Sequence, residues 1–240
     1  MIIINTLYFL TFMTSKKSKK TKDTFDYLDL NQDQLIYYDF ETTGLNIFHD
    51  RIIEYAFYKE NTLEDESKLM KECHYITSLV KPNKKFEYII TRITGIHPED
   101  LESKEPIESH VSKISDFLTI PKGTVPYLVA HNGSGFDDFF LKRILSNTSE
   151  YNELKKKMRF IDTIHLAKKI ARTKHLRKYS LKALAEHYGV KEGTHRALSD
   201  VSTLREVYKA LINDLSKELC ISYTETLNDP KGVYEWLYDF

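Results

Sequence analysis

An α/β fold, with a mixed central sheet and helices on both faces, is what this 240-residue sequence predicts. Three observations carry the prediction. Apolar, strand-like runs crowd the first part of the chain and follow one another closely. Helical periodicity dominates the later part. Between them, an apolar run over 125–130 turns through glycines directly into a helical pattern. A hydrophobic content of 41% is enough for a real core, and the length fits one domain with extensions.

The first strand is Leu35 to Phe40, an apolar run entering a core. The second is Arg51 to Lys59 and the third Cys73 to Val80, with Asn61 to Glu66 as a polar turn between them. Such close neighbours are expected to pair antiparallel. Helical patterns follow over 87–94 and 106–118. A strand over 125–130 leads into a helix from 135, where Phe136, Phe140, Leu141 and Ile144 recur at helical spacing. Arg159 to Ile161 is a short strand. Helices are expected over 163–171, 180–188 and 197–213, the last from the stripe Ala197, Leu198, Val201, Leu204, Leu211 and Ile212. The folded domain is therefore read as 31–213. Residues 214–240 form a C-terminal extension, which Val233, Trp236, Leu237 and Phe240 would dock on the domain. Residues 1–30 are an N-terminal extension expected to be disordered. Met1 to Met13 is apolar but too short to span a bilayer, and its lysines come after the apolar run, the reverse of a secretory signal. An interfacial anchor and a start at Met13 both fit. The run Ser15 to Lys22 suits nuclear targeting or nucleic-acid attraction, and equally a solvated tail.

Two carboxylates stand at the end of the first strand, in Asp39-Phe40-Glu41-Thr42-Thr43-Gly44-Leu45. Side chains two apart on a strand share a face, so Asp39 and Glu41 aim at one point. Paired anions repel unless a cation lies between them, and hard oxygen ligands suit Mg²⁺ or Mn²⁺. Alone, the pair would fit a solvated strand end equally well. Two more blocks accompany it. His131-Asn132-Gly133-Ser134-Gly135-Phe136-Asp137-Asp138 opens a helix with Asp137 in its first turn, where the dipole favours an anion. Asp138 is expected to cap that helix or face solvent. Thr194-His195-Arg196-Ala197-Leu198-Ser199-Asp200 places Asp200 among apolar neighbours, a costly site for a carboxylate without a metal or donor. His195 precedes that helix on a loop.

These three blocks resemble the exonuclease motifs of the DEDD superfamily, His subtype, in order and rough spacing. Ile93-Thr94-Gly95-Ile96, Asp162-Thr163-Ile164-His165-Leu166-Ala167 and Tyr179-Ser180-Leu181 match as well, so the resemblance covers about residues 35–212. Asp137 falls six residues after His131, a spacing more like three-prime repair exonucleases than bacterial proofreading subunits. The resemblance implies an RNase H-like exonuclease fold. It implies hydrolysis of DNA from the 3′ end, with single-stranded or frayed ends preferred and nucleoside monophosphates released. Asp39, Glu41, Asp137 and Asp200 would hold two Mg²⁺ or Mn²⁺ ions, with Asp39 bridging them. His195 would take a proton from the attacking water, since imidazole changes charge near neutral pH. Thr42 and Leu45 would meet the terminal nucleotide, Ile96 would pack against terminal bases, and Asn132 would orient the strand or stabilise its own turn. For Leu45 and Ile96, a core or turn role fits equally well. Asp162 is read as structural, and Tyr179 and Ser180 as a helix cap. The implied setting is intracellular, cytoplasmic or nuclear, with DNA repair as the theme. DNA or RNA 3′ ends are the expected partners, without stable membrane insertion, and a homodimer is left open. An exoribonuclease, a proofreading subunit and a non-cutting 3′-end-binding module are the rival readings.

Net charge is zero, so no global field advertises nucleic-acid binding. Lys155, Lys156 and Lys157 read as a solvated helix face. Lys168, Lys169, Arg172, Lys174, Arg177 and Lys178 lead toward the third block and are expected to track a phosphate backbone. Cys73 and Cys220 are too few for a disulfide framework, which favours a reducing compartment.

Overall fold

The computed structural model describes residues 34–60, 75–120, 124–146, 148, 151–174 and 176–238. The N-terminal extension, the turn at 61–66, Cys73 and Phe240 lie outside the described residues. The sheet contains β1 (Gln34–Thr42), β2 (Ile52–Lys59), β3 (Tyr75–Leu79), β4 (Pro126–Ala130) and β5 (Arg159–Asp162), in the order β3-β2-β1-β4-β5. β1 pairs antiparallel with β2, and β2 with β3, as their short separation requires. β1 and β4 run parallel, as do β4 and β5. The sheet is thus mixed, as expected.

Alternation along β1 sorts its side chains onto two buried faces. Leu35 and Tyr37 enter one core with Val201, Leu204, Tyr208 and Leu211 of α8 (Ala197–Leu219). Ile36, Tyr38 and Phe40 enter the other with Ile114 and Leu118 of α3 (Val111–Leu118) and Phe140, Leu141 and Ile144 of α4 (Asp137–Leu145). Among the described residues, two further helices precede α3, namely α1 (Tyr88–Thr94) and the single turn α2 (Pro98–Leu101). After α4 come α5 (Tyr151–Lys157), α6 (Thr163–Lys174) and α7 (Leu181–Tyr188). Ser180 caps α7, its hydroxyl accepting the Ala183 N–H at 3.3 Å, and Gly189 closes it with φ 65°.

The domain boundary expected at 213 falls inside α8. Leu215 and Leu219 continue the buried stripe past Asn213 and Asp214, so the helix runs on to Leu219. Among the described residues, two short helices follow, α9 (Tyr223–Leu227) and α10 (Pro230–Tyr238). Val233 and Leu237 of α10 are buried in the α8-side core.

Register positions the site. β1 and β4 pair only from Gln34 with Pro126 to Tyr37 with Val129. Beyond Tyr37 the pairing of the two strands ends, while β1 runs on to Thr42 beside β2. A crevice at the carboxyl ends of strands is where α/β sheets place ligands. Asp39 and Glu41 occupy the stretch of β1 that borders it.

Candidate active site

Asp39 and Glu41 continue the Tyr37 face toward α8, from whose first turn Asp200 projects. The three carboxylates lie within 4.8 Å of one another. Asp137, the first residue of α4, is 4% exposed and faces β1 from the crevice side. The Phe40 backbone N–H serves its carboxylate, while its Oδ1 is buried without a hydrogen-bond partner among the described residues. Burial, reinforced by the Asp39 and Asp138 charges, pushes the Asp137 carboxyl well up. Burial also pushes Glu41 from its ordinary 4.5 to about 9, with Asp39, Asp200 and Glu54 adding repulsion. Asp39 is driven upward by burial and by Asp200 and Glu54. Crowded, dehydrated oxygen donors that resist ionisation are a donor set suited to divalent hard cations, whose charge would reverse the repulsion.

His195 is exposed on the loop before α8 and adopts φ 53°, a left-handed conformation costing a non-glycine residue about 1–2 kcal/mol. Its backbone N–H donates to the Asp200 carboxylate. Gly193 packs against the same carboxylate so closely that any Cβ there would overlap it. The loop thus holds its strained shape by wrapping the side chain of Asp200.

Several supporting residues had no counterpart in the sequence reading. Glu54 of β2, opposite Glu41, is 4% exposed and bonds Arg196 and the Ala197 backbone. A charge inside the apolar run Ile52 to Phe57 was the signal that could have found it. Asp50 braces the loop after β1, accepting from the Thr43 hydroxyl at 2.8 Å, the Asn46 N–H at 2.8 Å and Lys84 at 2.6 Å. Arg143 of α4 ties the same loop from the other side, donating to the carbonyls of Ile47 at 2.6 Å and Asp50 at 2.7 Å.

Asp138 corrects an expectation. It neither caps α4 nor faces solvent, being buried with one oxygen accepting the Tyr38 hydroxyl. β1 directs Tyr38 to the α4 side of the sheet, and the phenol needs an acceptor there. Asp162 is structural, accepting the backbone N–H groups of Asn132 at 3.0 Å, Ser134 at 3.2 Å and Ile164 at 2.9 Å. It thereby pins the His131–Gly135 turn, in which Asn132 takes φ 62°. His131 shares a hydrogen bond with the Thr163 hydroxyl at 2.9 Å.

The four substrate candidates separate. Leu45 is 86% exposed in the braced loop, and Asn132 is exposed in the turn that Asp162 holds. Thr42 is buried, its hydroxyl donating to the Gly44 carbonyl at 2.7 Å. Ile96 is 1% exposed and packs with Ile53 and Leu101, so its side chain anchors the turn after α1 and offers no face to a base. Ile93 and Ile89, one turn apart on α1, are exposed instead. The basic segment is also modified. Lys169 donates to the Trp236 carbonyl and lies 4.5 Å from the Trp236 ring, which docks it on α10 and removes it from a phosphate track. Arg177 and Lys178 are exposed.

Fold and acid cluster together define a nuclease-like α/β domain, and comparison with known proteins agrees. The family model described as "Exonuclease" matches residues 36–208. The DNA polymerase III PolC-type of Thermotoga petrophila is 32% identical over 199 residues, covering 82% of this chain and 13% of that protein. Exonuclease DPD1, chloroplastic/mitochondrial, of Arabidopsis thaliana is 32% identical over 199 residues, covering 75% of this chain and 57% of its own length. The chain therefore spans only part of these relatives. Among solved structures, the zinc-bound E. coli ExoI–ssDNA complex superposes with a TM-score of 0.62 at 19% identity, over 78% of this chain and 42% of that one. Exonuclease I of Methylocaldum szegediense gives 0.61 at 20% identity, over 85% and 45%. These likenesses establish the RNase H-like exonuclease fold. The chain belongs to the exonuclease family of the DEDD superfamily.

Proposed function

We propose that this protein removes nucleotides one at a time from the 3′ end of DNA, with divalent metal ions held by Asp39, Glu41, Asp137 and Asp200. The observation that carries the reading is the convergence of these acids on the crevice where β1 and β4 part, with Asp39, Glu41 and Asp200 within 4.8 Å of one another. Two Mg²⁺ or Mn²⁺ ions bound there would supply positive charge for the phosphodiester and acidify the attacking water. The chain does the rest. His195, exposed at the rim, accepts the proton of that water. The rigid loop Thr43–Asp50 presents Leu45 to the terminal base, and exposed Ile93 takes the supporting role that Ile96 cannot fill. Asn132 orients the sugar-phosphate of the last residue.

DNA is favoured over RNA because several of the structural neighbours are complexes with DNA strands, and a relative bears the name of a DNA polymerase. An intracellular setting, cytoplasmic or nuclear, and a part in DNA repair go with that substrate. No helix among the described residues is long and apolar enough to cross a membrane. The test uses matched DNA and RNA oligonucleotides labelled at the 5′ end, with Mg²⁺ or excess EDTA. A descending ladder on DNA, abolished by EDTA, is expected. Cutting of a closed circle, or a ladder that persists in EDTA, would overturn the reading, and a ladder on RNA alone would move it to an exoribonuclease.

A further inference from the structure

Glu54 belongs to the acid cluster by position but not by partners. It sits across from Glu41 in the β1–β2 register, while Ala56 sits across from Asp39. Its carboxylate is already engaged. Arg196 donates through Nε at 3.0 Å and through Nη2 at 2.7 Å, and the Ala197 backbone N–H donates at 2.9 Å. A fork from arginine together with a helix N-terminal N–H is a strong and directional arrangement for a buried carboxylate. The residues it grips are decisive ones. Arg196 directly follows His195, and its carbonyl accepts the Asp200 N–H at 3.0 Å. One contact therefore joins the strand registered against Asp39 and Glu41 to the helix start that carries Asp200 and His195.

We propose that the Glu54–Arg196 pair is a positioning clamp for the metal site, setting how far the start of α8 stands from the β1 carboxylates. The clamp rests on the exonuclease reading above. It also accounts for a fifth acid in a crowded site. Glu54 adds to the repulsion felt by Asp39 and Glu41, and Arg196 offsets part of that for Glu41. A second pair of the same chemistry supplies an internal control. Arg205 bonds Glu60 through Nε at 2.5 Å and Nη2 at 2.6 Å, joining the other end of β2 to α8 two turns farther along, away from the acids.

The test compares the wild-type chain with Glu54→Gln, Arg196→Gln, the double variant and Glu60→Gln. Mn²⁺ binding is read from the EPR signal of free Mn²⁺ without substrate, unfolding is followed in EDTA, and kcat and KM are measured on 5′-labelled single-stranded DNA. Loss of either partner is expected to weaken Mn²⁺ binding about tenfold and to lower kcat by a similar factor, with KM changed less than about twofold. The double variant should be no worse than the worse single, because both remove one interaction. Arg196→Lys, which restores charge without the fork, should recover only part of the loss. Glu60→Gln should lower the unfolding temperature and leave Mn²⁺ affinity unchanged. Should Glu54→Gln fail to fold, Arg196→Gln carries the same test, because its side chain is 45% exposed. Wild-type Mn²⁺ affinity in a folded variant, or additive losses in the double, would overturn the clamp. A wild-type chain that neither binds Mn²⁺ nor cuts DNA would instead overturn the exonuclease reading.

Discussion

Glu41 is worth more to the proposed chemistry than to the fold. Its carboxyl, ordinarily near 4.5, rises to about 9 through burial and its acidic neighbours. A raised carboxyl stabilises the metal-free fold fully below 4.5, and that contribution is lost as pH climbs through about 9. Glu41→Gln removes the titration. In EDTA the variant should therefore be more stable than wild type at pH 9, with the gap closing toward pH 4.5, while its activity falls. Urea unfolding at a series of pH values checks this, and a constant gap would remove burial of the charge as its cause. His195 should behave in the opposite way. His195→Ala is expected to lower kcat by roughly 10² or more, since a positioned base contributes about that much. Mn²⁺ binding should survive in it and weaken in Asp39→Ala. Full activity of His195→Ala would take the ring out of the reaction. These residues were legible because their chemistry is unusual for their places: acids at a strand end, an acid in an apolar helix stripe. Glu54 with Arg196 was not, since a contact across 142 positions leaves no periodicity in the sequence.

At the scale of elements, the site depends on how loops are held against helices and strands. The loop before α8 is the most demanding. Gly193 lies against the Asp200 carboxylate, and φ at Gly193 is not what makes glycine necessary there; space is. Gly193→Ala should push Asp200 or the loop aside. It is expected to cost at least about tenfold in kcat and in Mn²⁺ affinity, the range found when ligand support is disturbed. Its unfolding temperature should shift far less than its activity. An active Gly193→Ala with normal Mn²⁺ binding would show that the loop has room to give. Most elements were readable from period alone, including the strand over 125–130 and the helices at 163 and 180. Two features were not. Ile96 follows a left-handed Gly95 at φ 69°, and the chain reversal there turns its side chain into the core and leaves Ile93 exposed. The end of α8 was misplaced because the stripe was followed only to Leu211 and Ile212, while Leu215 and Leu219 still had a core to fill.

For the molecule as a whole, the acids sit in a crevice between parted strands, not on an open face. A paired 3′ terminus must open to reach it, at a cost of a few kcal/mol that is smallest at a mismatch. Leu45 and Ile93 are aliphatic and should return less than the roughly 1–3 kcal/mol that aromatic stacking gives. Values of kcat/KM should therefore rank single-stranded above 3′-mismatched above blunt DNA at one salt concentration. Equal values would mean that end-opening does not limit the reaction. The fold class and the order of the acid blocks were legible across the chain, because β1, α4 and α8 each announce themselves by pattern. Their convergence was implied only by the family resemblance, because the geometry behind it depends on β1 and β4 pairing no farther than Tyr37 and Val129. The most direct measurement is anomalous diffraction at the manganese edge from crystals of the full chain grown with Mn²⁺ and a short single-stranded DNA. Two peaks are expected among Asp39, Glu41, Asp137 and Asp200, both absent from Asp39→Ala crystals. A map with no manganese at this cluster, from protein that cuts DNA in the same buffer, would contradict the metal-centred account.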